Sequence, residues 1–496
     1  MAATSNYLAF DLGASSGRAI LGRFDGAKLH LEEVHRFSNG PVQLLDHLHW
    51  DVLGLFASIT TGMSKCALEQ KQLDGIGIDT WGVDYGLLSP AGELLGLPFH
   101  YRDVRTRGMM AEALRRAGRE DIYARTGIQF MELNTLYQLL SVATTDRSLL
   151  DATDRLLFMP DLLAYWLTGK KQSEHSIAST SQLYDVAGGC WATDLMSKLG
   201  LPGEIMPPVS QPGSVVGDVG TAIIEKTGLR ATRVLAPACH DTGSAVAAVP
   251  AHGDDWAYIS SGTWSLVGVE LAEPIRTPEA LAENFTNEGG VAGSVRFLKN
   301  VAGLWLVQEC KRMWENQGDS VSFERLAEMA ARAPERACFV DPDDPRFAEP
   351  GDMPRRIQDY CAATGQSVPQ TQGGIVRCAL ESLALKYRKN LTLVERLTGR
   401  SVKVVHIVGG GVNNELLCQL TADVSGRPVV AGPAEATAAG NVMIQALACG
   451  RVSSLDEARR VIAESTQLRH HEPRQPAAWD EANQRFERIL SANEDR

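Results

Sequence analysis

The stretch Tyr7-Leu-Ala-Phe-Asp-Leu-Gly-Ala-Ser-Ser-Gly-Arg18 is an apolar strand, a tight turn of small residues and the start of a second apolar strand. Trp256-Ala-Tyr-Ile-Ser-Ser-Gly-Thr-Trp-Ser-Leu266 repeats the plan. Their separation far exceeds the period of a solenoid repeat, so the pair reads as a duplicated domain rather than an array. A small-residue hairpin turn points successive backbone N–H groups into one concavity, and such concavities bind anions. Two turns of this kind could hold the phosphates of one nucleotide.

Around the first stretch, residues 29–37 continue as a strand. Residues 50–68 carry Val52, Leu55, Phe56, Ile59 and Met63 at helical spacing. Gly75-Ile-Gly-Ile-Asp79 is a buried strand and a further strand runs through Leu88. Residues 108–170 read as largely helical, with loop punctuation at Gly127 and Pro160. Residues 232–236 form a strand, and 243–249 begin a short helix. Pro250-Ala-His-Gly-Asp-Asp255 is polar and turn-forming, and divides the chain into domains 1–250 and 251–496. In the second, residues 336–349 are rich in Pro and Asp and predict an irregular surface loop. Ile375, Ala379, Leu383, Tyr387, Leu391 and Val394 mark one face of a helix over 374–397. A β-branched strand over 402–408 runs into Gly409-Gly-Gly-Val-Asn-Asn414, an Ala-rich helix covers 435–448, and the tail after Pro473 ends in a helix. Strands alternating with helices give an α/β class with mixed sheets.

At 496 residues the chain exceeds the ~250–300 at which single cores stop growing. A net charge of -12 argues against a nucleic-acid surface, which needs concentrated Lys and Arg. No basic segment leads into an apolar one at the N-terminus, and no apolar run approaches the ~18–20 residues of a membrane span. Nine cysteines stand singly without a Cys-x-x-Cys pair, which argues against zinc and suits reduced thiols in a cytoplasm. Cys361 and Cys378 flank a Gly/Gln/Ser/Pro-rich loop and could lie close, although spacing alone does not fix a pairing.

Asp11 stands at a strand end before the first turn. Beside a triphosphate a carboxylate adds repulsion unless a divalent cation lies between, which implies Mg2+; otherwise Asp11 is a turn residue. Ser260-Ser-Gly-Thr-Trp-Ser265 offers hydroxyls and N–H groups without a carboxylate, and so suits direct phosphate contact. Gly409-Gly-Gly411 exceeds what a strand-to-helix turn needs, and would let a ring or phosphate approach the backbone; the alternative is a turn capped by Asn413 or Asn414. His240 and Asp241 occupy a loop between strand and helix, where open α/β sheets place ligands. Asp241 either accepts a proton from a substrate hydroxyl or, like Thr242, caps the helix. Gly82 permits close approach of a ligand or marks a bulge. Asp79 and Asp84 are ligand contacts or solvated edge residues. Asn300 either caps a helix over 301–314 or points into a cleft.

These motifs together resemble those of the FGGY-type sugar kinases of the actin-like ATPase superfamily. Pro237-Ala-Cys-His-Asp-Thr-Gly243 followed by Ser260-Ser-Gly-Thr-Trp-Ser265 carries that resemblance. Asp79-Thr-Trp-Gly-Val-Asp84, Tyr101-Arg-Asp-Val-Arg-Thr106, Thr286-Asn-Glu-Gly-Gly290 and Leu298-Lys-Asn-Val-Ala-Gly-Leu-Trp305 resemble the branch that phosphorylates L-rhamnulose at C1. The resemblance implies two ribonuclease H-like domains with a nucleotide and sugar cleft, ATP and Mg2+ as cofactors, and a small-molecule sugar as substrate. It implies no nucleic-acid or membrane partner, and a monomer or small homo-oligomer. It makes Ala14, Ser15, Ser16, Gly17 and Arg18 ATP contacts and Asp11 the metal residue. Asp241 becomes the base, with Gly82, His240, Thr242 and Asn300 lining the sugar, and Thr263, Gln308 and Gly410 further nucleotide contacts. Ala14 departs from the wider family, where Thr is usual, so a hydroxyl contact must come from Ser15 or Ser16. Gly82-Val83 replaces a charged Arg-Glu pair of glycerol kinases, which implies a roomier, less polar wall suited to a methyl-bearing deoxysugar. Other family substrates (fuculose, xylulose, glycerol) and an actin-like nucleotide switch are the alternatives.

Overall fold

The computed structural model describes residues 4–494. The chain forms two compact units: Met1–Pro250 with Glu270–Phe297 and Ala436–Thr466, and Ala251–Val269 with Leu298–Glu435 and Gln467–Arg496.

The first unit is built on a six-stranded sheet. Its strands are β1 (Ser5–Leu12), β2 (Ser16–Phe24), β3 (Leu29–Ser38), β4 (Gly75–Thr80), β5 (Val215–Asp218) and β6 (Arg233–Leu235), in the order β5-β6-β4-β1-β2-β3. β1 and β2 form the expected antiparallel hairpin, and β4 lies parallel to β1. β1 is buried along nearly its whole length because helices cover both its faces. The helix Val52–Glu69 buries Val52, Leu55, Ile59 and Met63, and the Asp51 carboxylate accepts a hydrogen bond from Gly54 N at its first turn, 2.9 Å.

The helix Ala436–Ala448 packs against β1, β4 and the short helix Asp241–Ala247. Small residues make that seat. A Cβ on Gly77 would lie 2.3 Å from Asn441 Oδ1, and one on Gly440 1.8 Å from the Ser244 carbonyl oxygen. The stretch 108–170 is largely helical, but Tyr85–Leu88 pairs with an intervening strand, Arg155–Phe158. Pro160 does not punctuate a loop. It sits in the first turn of the helix Met159–Thr168, where a missing N–H costs nothing. Gly127 does end a helix, with a left-handed φ of 64°.

The second unit repeats the opening plan. β7 (Trp256–Ser261) and β8 (Trp264–Leu271) form an antiparallel hairpin, and β9 (Val404–Val408) lies parallel to β7. β10 (Val429–Ala431) and β11 (Arg469–His471) give the order β8-β7-β9-β10-β11, five strands of a seven-stranded sheet whose other two, Thr286–Gly289 and Val295–Ala302, follow β8. The helix Gln372–Thr398 buries all six stripe residues.

The Pro- and Asp-rich stretch 336–349 is irregular and partly exposed, as expected, but it is anchored into the core. Cys338, Phe339, Val340 and Phe347 are buried, and Asp341 and Asp343 reach the buried Lys386 at 2.8 and 3.0 Å. Proline and aspartate here fix turns around apolar anchors. The Sγ atoms of Cys338, Cys361 and Cys378 lie within 4.8 Å of one another, and all three thiols are free. Hydrogen bonds from the other two thiols bring the Cys338 thiol down to about 4. No helix among the described residues is long and apolar enough to cross a membrane.

Candidate active site

Strand register brings the acidic residues of the first unit together. Asp11 on β1 stands opposite Asp79 on β4, and the next residue of β4, Thr80, is bridged to His240. The His240-Asp241 loop therefore meets the carboxyl ends of the parallel strands, the position where α/β sheets gather ligands. Asp79 is fully buried, so the solvated-edge reading is overturned. Its Oδ2 accepts from Asn441 Nδ2 at 2.5 Å and its Oδ1 has no partner. Burial first, and the Asp11 charge second, push the Asp79 carboxyl well above the usual carboxylate range. Asp11 is 7% exposed and pairs with Arg18 across the hairpin. Burial also raises the Asp241 carboxyl, with Asp11 adding to the rise.

Two mutually repelling carboxylates, Asp11 and Asp79, one of them with an orphaned buried oxygen, are a donor pair that a hard divalent cation satisfies. Asp11 and Asp79 fit Mg2+ in this sense. Asp241 is engaged otherwise. It opens its helix, its Oδ1 accepts from the Thr242 N–H at 2.5 Å and Thr242 Oγ1 at 3.1 Å, and its side chain stays 29% exposed. The helix N-cap is His240, which makes no side-chain cap bond. Neither Asp241 nor Thr242 is consumed as a cap.

Gly82, half-buried, belongs to a strained turn. The next residue, Val83, has φ 69°, a left-handed conformation that a β-branched side chain rarely adopts. Partners on both sides hold it there: Thr180 Oγ1 accepts from Val83 N at 3.1 Å, and Thr135 Oγ1 donates to Val83 O at 2.6 Å. Asp84 is fully buried too, and it is an anchor rather than a ligand contact. It accepts from Trp50 Nε1, Trp81 Nε1, Tyr101 N and Gln138 Nε2 at 2.6 to 3.2 Å.

Ala14, Ser15 and Ser16 form the β1–β2 turn region, with Ser15 exposed and Gly17 buried in β2. Gly13 N closes the turn on Ser16 O at 2.9 Å. The sugar and nucleotide candidates do not all fall in this unit: Thr263, Asn300, Gln308 and Gly410 belong to the second. Thr263 is in the two-residue β7–β8 turn, and Gln308 lies on the helix Trp305–Asn316. Asn300 is not a cap. It lies in the strand Val295–Ala302, and the following helix starts at Trp305 behind Leu304.

The triple glycine resolves into three different demands. Gly409 has a left-handed φ of 83°. A Cβ on Gly411 would lie 2.0 Å from Ser261 Oγ, whereas one on Gly410 would meet nothing within 4 Å. Two of the glycines are thus spent on the turn itself, and Gly410 is exposed with open space beside it. Asn414 does cap the following helix, accepting from Leu417 N at 3.0 Å.

Sequence reasoning passed over Glu288 and Arg296, both buried in the first unit. Glu288 lies within the quoted Thr286–Gly290 motif, but nothing in the local sequence ties it to His240.

Comparison with known proteins bears on the family and the fold. The N-terminal domain of the FGGY family of carbohydrate kinases matches residues 6–248, and the C-terminal domain matches 257–449. A rhamnulokinase of Bacteroides thetaiotaomicron is 45% identical over 485 residues, 98% of this chain and 99% of that protein. A rhamnulokinase of Bacillus subtilis is 41% identical over 468 residues, 94% of this chain and 95% of that one. Among solved structures, gluconate kinase from Lactobacillus acidophilus superposes with a TM-score of 0.81 at 16% identity, covering 99% of this chain and 98% of its own. Plasmodium falciparum glycerol kinase with ADP gives 0.77 at 14% identity, covering 100% and 99%. With both family domains matched in order over most of its length, the chain belongs to the FGGY family of carbohydrate kinases.

Proposed function

We propose that this kinase transfers the γ-phosphoryl group of ATP to the C1 hydroxyl of L-rhamnulose, giving L-rhamnulose 1-phosphate and ADP. The observation that carries the reading is Asp241: a partly exposed carboxylate, raised by its surroundings, at the carboxyl ends of the parallel strands and beside Asp11. The likeness to rhamnulokinases over nearly the full chain supports the acceptor.

Mg2+, when bound, supplies positive charge against the phosphates, and Asp11 would hold it directly or through water, with Asp79 behind it. Asp241 accepts the proton of the C1 hydroxyl as that oxygen forms its bond to the γ-phosphorus and the bond to the ADP oxygen breaks. Positioning and charge neutralisation carry most of such a transfer. His240, Thr242, Gly82 and Asn300 orient the sugar. The backbone from Ala14 to Gly17, with Arg18, and Thr263, Gln308 and Gly410 bind the nucleotide. Residues 1–250 thus provide the first phosphate turn, the base and all of the named sugar contacts but Asn300, and 251–496 provide Asn300, the second turn and the adenosine motif. Free thiols throughout suit a cytoplasmic location.

A coupled ADP-release assay over L-rhamnulose, L-fuculose, D-xylulose and glycerol tests the acceptor: a higher kcat/KM for any of the other three overturns the assignment. Asp241→Asn should lower kcat about 10²–10⁴-fold, the range for loss of a general base, while ATP still binds. Near-normal turnover removes Asp241 from the role of base.

A further inference from the structure

Arg296 has a fully buried side chain, and its Nε and Nη2 find partners while Nη1 has none. Its Nε donates to Gly289 O at 2.9 Å, and its Nη2 stands 3.1 Å from Glu288 Oε2 and 3.2 Å from His240 Nδ1. On the far side of the same ring, His240 Nε2 lies 3.4 Å from Asp241 Oδ1, an electrostatic contact rather than a formed hydrogen bond, since that oxygen accepts from Thr242. Burial works against the Glu288 carboxylate, yet the Arg296 charge and His240 outweigh it and hold its carboxyl below the usual range. The ionised Glu288 neutralises a guanidinium that would be prohibitive to bury alone. The backbone beneath is pinned independently, with Glu174 accepting from Cys239 N at 2.9 Å and Ser176 Oγ from His240 N at 3.1 Å.

A neutral imidazole donates from one nitrogen and accepts at the other, and the partner of one fixes the role of the second. Two groups compete for Nδ1. Glu288 Oε2 lies 3.1 Å away, but that oxygen accepts no well-formed hydrogen bond, whereas the Arg296 contact has hydrogen-bond geometry. A guanidinium can only donate, so where Arg296 holds Nδ1 the ring nitrogen accepts and the proton is left to Nε2.

We infer that Arg296, neutralised by Glu288, is a positioning residue: it fixes the His240 tautomer whose Nε2–H faces the Asp241 carboxylate and orients that carboxylate toward the acceptor hydroxyl. This rests on the reading of Asp241 as base. It gives the Thr286–Gly290 motif a function in the reaction, and it makes His240 more than a wall of the sugar site.

The test has two arms. In the wild-type protein, ¹⁵N labelling of histidine reports the His240 ring directly, with a protonated Nε2 and an unprotonated Nδ1 expected; the opposite assignment overturns the inference. This arm does not depend on catalysis, so it separates from failure of Asp241→Asn to lower turnover, which would sink the base instead. The second arm is a kinetic cycle with Glu288→Leu/Arg296→Met, which removes both charges together and leaves neither buried alone. Kcat should fall roughly 10–100-fold, as when the group orienting an imidazole is removed, with the KM for ATP unchanged. In a His240→Asn background the same pair should change kcat less than twofold. An equal loss in both backgrounds makes the pair merely structural and overturns the inference.

Discussion

Substituting Gly440 by alanine tests how the base is held. Gly440 faces the backbone of Ser244, and an added Cβ would lie 1.8 Å from the Ser244 carbonyl oxygen and 2.7 Å from its carbonyl carbon. Non-bonded heavy atoms rest near ~3.5 Å, so the helices Ala436–Ala448 and Asp241–Ala247 must separate by more than ~1 Å. Backbone cannot swing aside as a flexible side chain does. Overpacking of this kind costs about 1–3 kcal/mol, and at roughly 2–4 °C per kcal/mol for a domain of this class the melting temperature should fall by several degrees. Function should suffer more than stability. Asp241 is the first residue of the displaced helix, and Asn441, next to Gly440, is the hydrogen-bond donor to Asp79. A misplacement of about 1 Å can cost ~10²-fold in rate. Coupled ADP release with saturating sugar and ATP, alongside thermal unfolding, reads both effects. Wild-type kcat together with an unchanged melting temperature would refute the argument that this contact sets the position of Asp241.

Three further outcomes follow from the same geometry. Thr135→Val keeps the shape but leaves Val83 O without its 2.6 Å donor; relaxation of the strained turn should raise the sugar KM several-fold and leave the ATP KM unchanged, as initial-rate kinetics would show. Gly411→Ala drives a methyl into Ser261 and should raise the ATP KM, whereas adding Ser261→Gly should recover much of the loss; no recovery would mean that the collision is elsewhere. In the pH profile of kcat/KM, Asp241 must be ionised to act, and its carboxyl lies above its ordinary value; activity should therefore be lost as pH falls through a pKa above the ordinary ~4. Asp241→Asn should abolish that acidic limb.

The fold was legible where the apolar pattern is long. The two hairpins, the parallel strands beside them and the helix Gln372–Thr398 follow from periodicity and turn residues alone. Two of the differences share a cause, because a polar or Pro-rich composition does not mean exposure. The Pro- and Asp-rich stretch at 336–349 is anchored by Phe339, Val340 and Phe347, and Asp79 and Asp84 lie at 0% exposure because their strand partners and neighbouring indoles surround them. A signal for Asp79 was available, since Gly75-Ile-Gly-Ile reads as a buried strand and the aspartate that continues it is buried with it. Other parts of the site had no local signal. The contacts of Asn441 with Asp79 and of Arg296 with His240 join residues 362 and 56 positions apart, and only the assembled strands bring them into range. The meeting of Cys338 with Cys361 and Cys378 is of the same kind.

The two hairpins differ in what their neighbours add. In the first, Asp11 sits opposite Asp79 on the adjoining parallel strand. In the second, the equivalent Ser260 sits opposite Val408. The same backbone arrangement thus concentrates two carboxylates at one strand end and places a hydroxyl beside an aliphatic side chain at the other. The connecting turns differ as well, with Gly13, Ala14 and Ser15 between the first pair of strands but only Gly262 and Thr263 between the second. A duplicated fold need not duplicate chemistry, because register decides which side chains share a strand end. On the proposed function, a carboxylate at one position and a serine at its counterpart would separate a cation-binding turn from one suited to phosphate directly. If that division is right, Asp79→Asn should weaken Mg2+ dependence, raising the Mg2+ concentration needed for half-maximal ADP release, and Ser260→Ala should leave that concentration unchanged. Equal shifts in the two variants would mean that the strand registers do not set the difference between the turns.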